Sequence, residues 1–268
     1  MLNQLTRRRF VRVVSAAGPF VAQAAVSAGA QSAPPASDAA DWVPRQDPSL
    51  VREIVTVSHV NPARVRELVE RQPALARASV DWGFGDWESA LGAAAHMGRR
   101  DIADLLLAHG ARPTIFSAAM MGQLDVVRAF VEAHPGIQRT AGPHGITLLA
   151  HARAGGAPAE AVLRYLQRVG DADVAPGTAP LSAADRDAVV GRYEFGTGPR
   201  DRFDVDVQND RLGIQRPETT RRFLIHAGDL VFFPAGVPSV RIAFAREGPR
   251  VTRLTIADPE VAVTALRR

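Results

Sequence analysis

Between Gly98 and Pro113 the chain reads GRRDIADLLLAHGARP, and Ile102, Leu105 and Leu106 fall at i, i+3 and i+4 on one helical stripe, widened by Leu107. Gly110 stands where a helix stop favours positive φ, and Pro113 keeps the helix from resuming, so the spacing predicts a short, sharply bounded helix. Upstream, SALGAAAHMG predicts a second short helix whose small side chains let two antiparallel helices approach closely. The pattern recurs unevenly. SAAMMGQLDVVRAFVEAHPG returns Ala118, Ala119, Gly122, Val126, Ala129 and Phe130 in the same phase 24 residues on, and ITLLAHARAGGAPAEAVLRYLQRVGDAD follows 34 residues later if Gly156 is matched to Gly122. LVREIVTVSHVNPARVRELVERQPAL places Val65, Leu68 and Val69 a shift of 37 residues before Ile102, Leu105 and Leu106, with Asn61 in the glycine's place. About four helical pairs over residues 49–174 result. Stacking is required, because one pair cannot bury its own apolar face, and the apolar residues named are expected in the core.

After Gly191 the period falls towards two. FDVDV, RLGIQ, RFLIH, LVFFP, VRIAF, VTRLTI and VAVTAL are short β-prone runs separated by Gly, Pro, Asn and Asp, which predicts a small antiparallel barrel or sandwich over 184–268. Residues 175–183, small and proline-containing, read as a linker. The expected fold class is multidomain α + β: a helical solenoid followed by a β domain. Phe203, Phe223, Phe232, Phe233 and Phe244 are expected to point inward and fill the barrel.

The helical pairs resemble ankyrin repeats. Leu91, Ala94, Ala95, Gly98, Ile102, Leu105, Leu106, Gly110, Ala111 and Pro113 follow that family's TPLHxAAxxG and LLxxGAxP pattern. Ser89, Ala90 and Gly92 depart from it, standing where the family has Thr, Pro and His. The resemblance implies an ankyrin-repeat solenoid that mediates protein–protein interaction. Its uneven spacing leaves two long segments, 77–88 and 137–146, as fingers on one edge. The first carries Trp82, Phe84 and Trp87, which either fold back on the neighbouring helix, the commoner outcome, or anchor a partner. The second offers Arg139 and His144 near its tip, read as solvated residues within reach of a partner.

Gly191, Arg192 and Tyr193, then RFDVDVQNDRLGIQ, LVFFP and VTRLTI, come in an order that resembles the lipocalin-like β domain following the catalytic domain of many exported penicillin-binding-protein-like serine hydrolases. That family's catalytic serine and lysine lie in another domain, so the resemblance implies no activity, and Tyr193 reads as a buried strand residue. At the amino terminus, TRRRFVR resembles the twin-arginine (Tat) export signal through Thr6, Arg7, Arg8 and Phe10, and Ala28-Gly29-Ala30 supplies a small-residue cleavage site at Ala28 and Ala30 after an alanine-rich apolar run. This resemblance implies a bacterial signal peptide over 1–30, a linker over 31–48, passage through the Tat translocase, and a soluble periplasmic or secreted product with no stable membrane anchor after cleavage.

Charge and composition narrow the chemistry. Removal of residues 1–30 takes Arg7, Arg8, Arg9 and Arg12 and no carboxylate, which brings the formal net charge from +4 to zero and leaves no electrostatic footprint for nucleic acid. The absence of cysteine excludes disulfides, thiol nucleophiles and thiolate metal sites. All 32 basic residues are arginine, so Ser-x-x-Lys nucleophiles, phosphate-binding GxxxxGK loops and Schiff bases are excluded too, and no GxSxG or HExxH string occurs. The seven histidines are scattered. His96, His109, His134 and His151 read as surface or capping residues at helix ends, and no catalytic, cofactor-binding or metal-binding residue is assigned. The expected function is a non-catalytic exported scaffold whose ankyrin stack binds an extracytoplasmic protein. Two alternatives remain open: a carrier enclosing an apolar small molecule or lipid in the β domain, and a hydrolase using Asp185, Asp187, His226 and Asp229.

Overall fold

A computed structural model describes residues 45–174, 176–258 and 261–268. The export-signal residues Thr6, Arg7, Arg8 and Phe10, the cleavage residues Ala28 and Ala30, and the segment 1–30 lie outside the described residues.

Helices α1 (Pro48–Val57), α2 (Pro62–Arg71), α3 (Ala90–His96), α4 (Arg100–Ala108), α5 (Ile115–Met120), α6 (Leu124–Ala133), α7 (Leu148–Ala154) and α8 (Glu160–Val169) pack as consecutive pairs. The first helices of the pairs also pack on one another in series, α1 on α3, α3 on α5 and α5 on α7. Side-chain caps start α1, α2, α3, α5 and α7: Asp47, Asn61, Ser89, Thr114 and Thr147 each accept a backbone N–H from the first turn. Ser89, at the ankyrin pattern's threonine position, thus keeps a hydroxyl cap. Between the helices of two pairs, Gly98 (φ +67) and Gly122 (φ +75) lie so close to the backbone of the last pair that a Cβ would fall 2.2 Å from the carbonyl oxygens of Ala154 and Pro158. The repeated glycine therefore serves positive φ and close stacking together.

Ile54, Val65, Leu68, Leu91, Ile102 and Leu106 form one core cluster, and Ile115, Val127, Leu148, Val162 and Leu166 a second. Helix α6 corrects one expectation. Val126, Ala129 and Phe130 are exposed, and Val127 is the buried residue of that helix. Leu124, Val127 and Val131 make a competing i, i+3, i+7 stripe, and that is the stripe turned inward.

Strands β3 (Gly191–Glu194), β4 (Arg202–Gln208), β5 (Arg211–Gln215), β6 (Arg222–Gly228), β7 (Val231–Pro234), β8 (Arg241–Glu247), β9 (Arg250–Asp258) and β10 (Val261–Arg267) close into an eight-stranded antiparallel barrel in the order β10-β3-β4-β5-β6-β7-β8-β9. The α + β class and the β-barrel are as the periodicity predicts, and closure rather than a sandwich removes the sheet edges. Phe203, Phe232 and Phe244 fill the barrel core beside Tyr193, Ile214, Ile242 and Leu254. Phe223 and Phe233 do not join that core. Phe223 is half-buried beneath the guanidinium groups of Arg211 and Arg221, 3.5 and 5.0 Å from its ring centroid, and Phe233 is the strand neighbour of inward Phe232, on the opposite face.

Helix α9 (Ala183–Val189), capped by Ser182, precedes the barrel and places Val189 in its core. The Tyr193 hydroxyl donates to the Val189 carbonyl at 2.8 Å, and burial pushes the phenol up to about 12. The segment read as a linker runs along β6: Ala179 N–H donates to the His226 carbonyl at 2.9 Å, and Leu181 packs on the barrel core. Among the described residues, no helix is long and apolar enough to cross a membrane.

Candidate functional site

The first finger is a hairpin of β1 (Ser79–Asp81) and β2 (Trp87–Ser89), with Val80 opposite Glu88. Its turn needs a run of left-handed residues, supplied by Gly83 (φ +104), Phe84 (φ +59) and Gly85 (φ +76), and Asp81 steadies it by accepting the Gly83 N–H at 2.8 Å. Strand alternation then turns Glu88 inward between exposed Trp87 and half-buried Ser89. The Glu88 side chain is fully buried.

Three imidazoles from different elements converge on it. The Nε2 atoms of His96, His144 and His59 lie 2.8, 3.2 and 3.5 Å from Glu88 Oε1. The other carboxylate oxygen, Oε2, accepts the Trp82 indole N–H at 2.7 Å. His59 sits in the turn after α1, where its Nδ1 faces the carbonyls of Thr56 and Val55 at 3.0 and 3.2 Å. His96 closes α3 and is nearly buried. His144 belongs to the second finger, in the short 3₁₀ turn Pro143–Gly145, and adopts φ +59. Asp86 fixes that conformation: Oδ1 accepts the His144 backbone N–H and Oδ2 faces His144 Nδ1, each at 2.8 Å. Arg222 of β6 donates from Nη2 to the same Oδ2 at 2.5 Å. The cluster therefore joins the helical pairs, both fingers and the barrel.

Burial opposes the ionised forms of both carboxylates, yet hydrogen bonds reverse the balance. The Glu88 carboxyl is held well below the usual carboxylate range by His144, His59 and His96, and that of Asp86 is held down by His144 and Arg222. The carboxylates act reciprocally on the imidazoles. Asp86 and then Glu88 raise His144 to about 9, and the Glu88 hydrogen bond raises His59. His151, next in the row of rings at 6.4 Å from His96, behaves oppositely. It is fully buried in α7 with Nδ1 2.8 Å from the Thr147 carbonyl and no partner for Nε2, and burial pushes it down to about 4.

Beside this cluster lies an open cleft of about 760 Å³, walled by Asp86 and Trp87 of the first finger, Arg139 and Pro143 of the second, Phe116 of α5 and Pro238 of the barrel. The sequence-predicted residues divide around it. Trp82 packs on the helical core, bonds Glu88 and carries the Arg52 guanidinium 5.0 Å from its ring centroid. Phe84 packs against the barrel core. Trp87 alone of the aromatic trio stands out, 63% exposed. Arg139 is exposed and lies 3.8 Å from Asp171. His144, expected to be solvated, is instead 30% exposed and bonded on both ring nitrogens.

The histidine readings are corrected similarly. His96 and His151 are not surface residues, whereas His109 and His134 do stand at helix C-termini. Sequence reasoning passed over Glu88 and His59, although one signal was present: the 37-residue shift that superposes Val65 on Ile102 also carries His59 onto His96. The residues of the hydrolase alternative are engaged separately. Asp185 pairs with Arg246 at 2.5 Å, Asp187 with Arg186 at 3.3 Å, His226 faces the carbonyls of Ala179 and Pro180, and Asp229 occupies a turn at φ +49. No model of a known protein family matches the chain, and no curated protein matches it.

Proposed function

We propose that this chain is an exported, non-catalytic binding protein: an ankyrin-repeat solenoid holds an extracytoplasmic protein partner, and a lipocalin-like β domain braces the recognition edge. In this reading the twin-arginine segment directs the chain through the Tat translocase to the periplasm or medium, the mature chain has no membrane anchor, and nucleic acid is not a ligand. One observation carries it: the exposed Trp87 indole rims an open cleft whose walls come from both fingers and the barrel. An aromatic anchor on a rigid loop beside a concave surface suits protein recognition. The carrier alternative is weakened because Phe203, Phe232, Phe244 and Tyr193 occupy the barrel core.

Crosslinking in an extracytoplasmic fraction, followed by purification of the mature chain, tests the proposal. A stoichiometric protein partner whose affinity falls at least about fivefold on Trp87→Ala supports it. A co-purifying lipid or small molecule without a protein would replace it with the carrier reading. Replacement of Arg7 and Arg8 should abolish export, and unimpaired export would remove the Tat assignment.

A further inference from the structure

We infer that His59, Glu88, His96 and His144 form a binding site for one divalent transition-metal ion, with zinc the best match, and that the ion staples the fingers to the helical pairs. Their four donor atoms lie within 4.8 Å of one another. A tetrahedral zinc ion holding nitrogen and oxygen at about 2.0–2.1 Å sets its ligand atoms roughly 3.3 Å apart. The distances from Glu88 Oε1 to the imidazole nitrogens, 2.8, 3.2 and 3.5 Å, bracket that tetrahedral edge.

The surroundings point the same way. His59 Nδ1 faces backbone carbonyls and His144 Nδ1 faces the Asp86 carboxylate, acceptors that keep the ring proton on Nδ1 and aim Nε2 inward as a donor to metal. Trp82 occupies Glu88 Oε2, which leaves Oε1 as a single ligand atom. Asp86, itself held by Arg222, stands in the carboxylate–histidine–metal position. Once a bound metal has displaced the imidazole protons, the two carboxylates against one guanidinium leave the cluster with one net negative charge, which a divalent cation offsets. Three nitrogens and one oxygen from the protein complete a tetrahedron, the closed arrangement of a structural rather than a catalytic zinc. Such a staple suits a chain without cysteine.

The inference goes beyond the partner-binding reading and does not depend on it. The test uses the mature chain, stripped with chelator and titrated with Zn²⁺ alone, with Co²⁺ as a spectroscopic substitute. The expected results are one Zn²⁺ per chain, the intense visible bands of tetrahedral Co²⁺, and a rise in melting temperature on loading. Glu88→Gln and His96→Gln should remove stoichiometric binding. His144→Gln, on the partly exposed finger where folding is least at risk, should weaken it at least about a hundredfold. Asp86→Asn should weaken it about 10–100-fold, and His109→Gln should leave it unchanged. A chain that stays unloaded, a Co²⁺ spectrum of octahedral type, or Zn²⁺ affinity indifferent to His144→Gln would overturn the site. The imidazoles would then serve only as hydrogen-bond partners of Glu88.

Discussion

The barrel buries a phenol among aromatic rings, whereas the finger junction buries carboxylates among imidazoles. The buried polar and charged residues described, Ser58, Asp86, Glu88, Ser117, Gln138 and His151, all belong to the helical region and its fingers. In the barrel, the Tyr193 hydroxyl needs only the nearby Val189 carbonyl, and its ring packs within an apolar cluster that includes Phe232 and Phe244. The junction requires Glu88, Asp86, three imidazoles, an indole and an arginine from separate elements to be in place together. Apolar burial is non-directional and stabilises one region regardless of charge state. A buried carboxylate is costly unless every partner is present, so the junction responds to pH and, on the inference above, to metal.

The largest expected effects compare the two cores directly. Phe232→Ala should cost about 3–5 kcal/mol through the cavity it leaves. Glu88→Ala should cost about 3–5 kcal/mol by leaving the imidazoles and the Trp82 N–H without their acceptor. Urea denaturation of the metal-free chain measures both. A Glu88→Ala loss below 1 kcal/mol, well under that range, would erase the contrast.

The pH dependence should separate them further. His144 is raised in the folded state to about 9, so its contribution is full below the unfolded value of 6.5 and is lost as pH rises from there through about 9. Glu88→Ala should shrink that alkaline limb, which the Asp86 hydrogen bond still supports in part, and Phe232→Ala should leave it intact. His151 has the opposite sign. Its folded value of about 4 lies below 6.5, so the unfolded chain binds the proton first and stability falls as pH drops between the two, by at most about 3 kcal/mol. Melting temperatures of the metal-free chain from pH 4 to 9 would display both limbs, and His151→Gln should remove the acid one. An acid limb unchanged in that variant would assign it to other groups.

Smaller changes sharpen the comparison. Tyr193→Phe should cost about 1 kcal/mol, since it removes one hydrogen bond and little volume. Trp87→Ala should alter stability by less than about 0.5 kcal/mol, because the indole is largely exposed. A much larger loss at Trp87 would return this side chain to a packing role and withdraw the binding argument built on it.

Periodicity along the chain was enough to predict α4, with its stop at Gly110 (φ +85), and the strands of the barrel, because stripe and alternation are local consequences of a backbone with one buried face. It could not choose between the two apolar stripes of α6, since both satisfy helical spacing and only the neighbouring helices decide which is covered. Inward alternation was likewise ambiguous at Phe232-Phe233, where a one-residue difference in register exchanges the barrel core for its other face, on which Phe233 is also buried. The Glu88 cluster depended most on tertiary structure. Its ligand atoms come from positions 59, 88, 96 and 144, and no local rule brings them together. The His59–His96 shift was legible because stacked pairs repeat. Glu88 entered only when the hairpin turned it inward, and His144 only when Asp86 drew the second finger across. Local patterning specifies which face of an element is apolar. The meeting of charges from distant elements is decided by how those elements pack, because their pairing energy exists only once water has been excluded from between them.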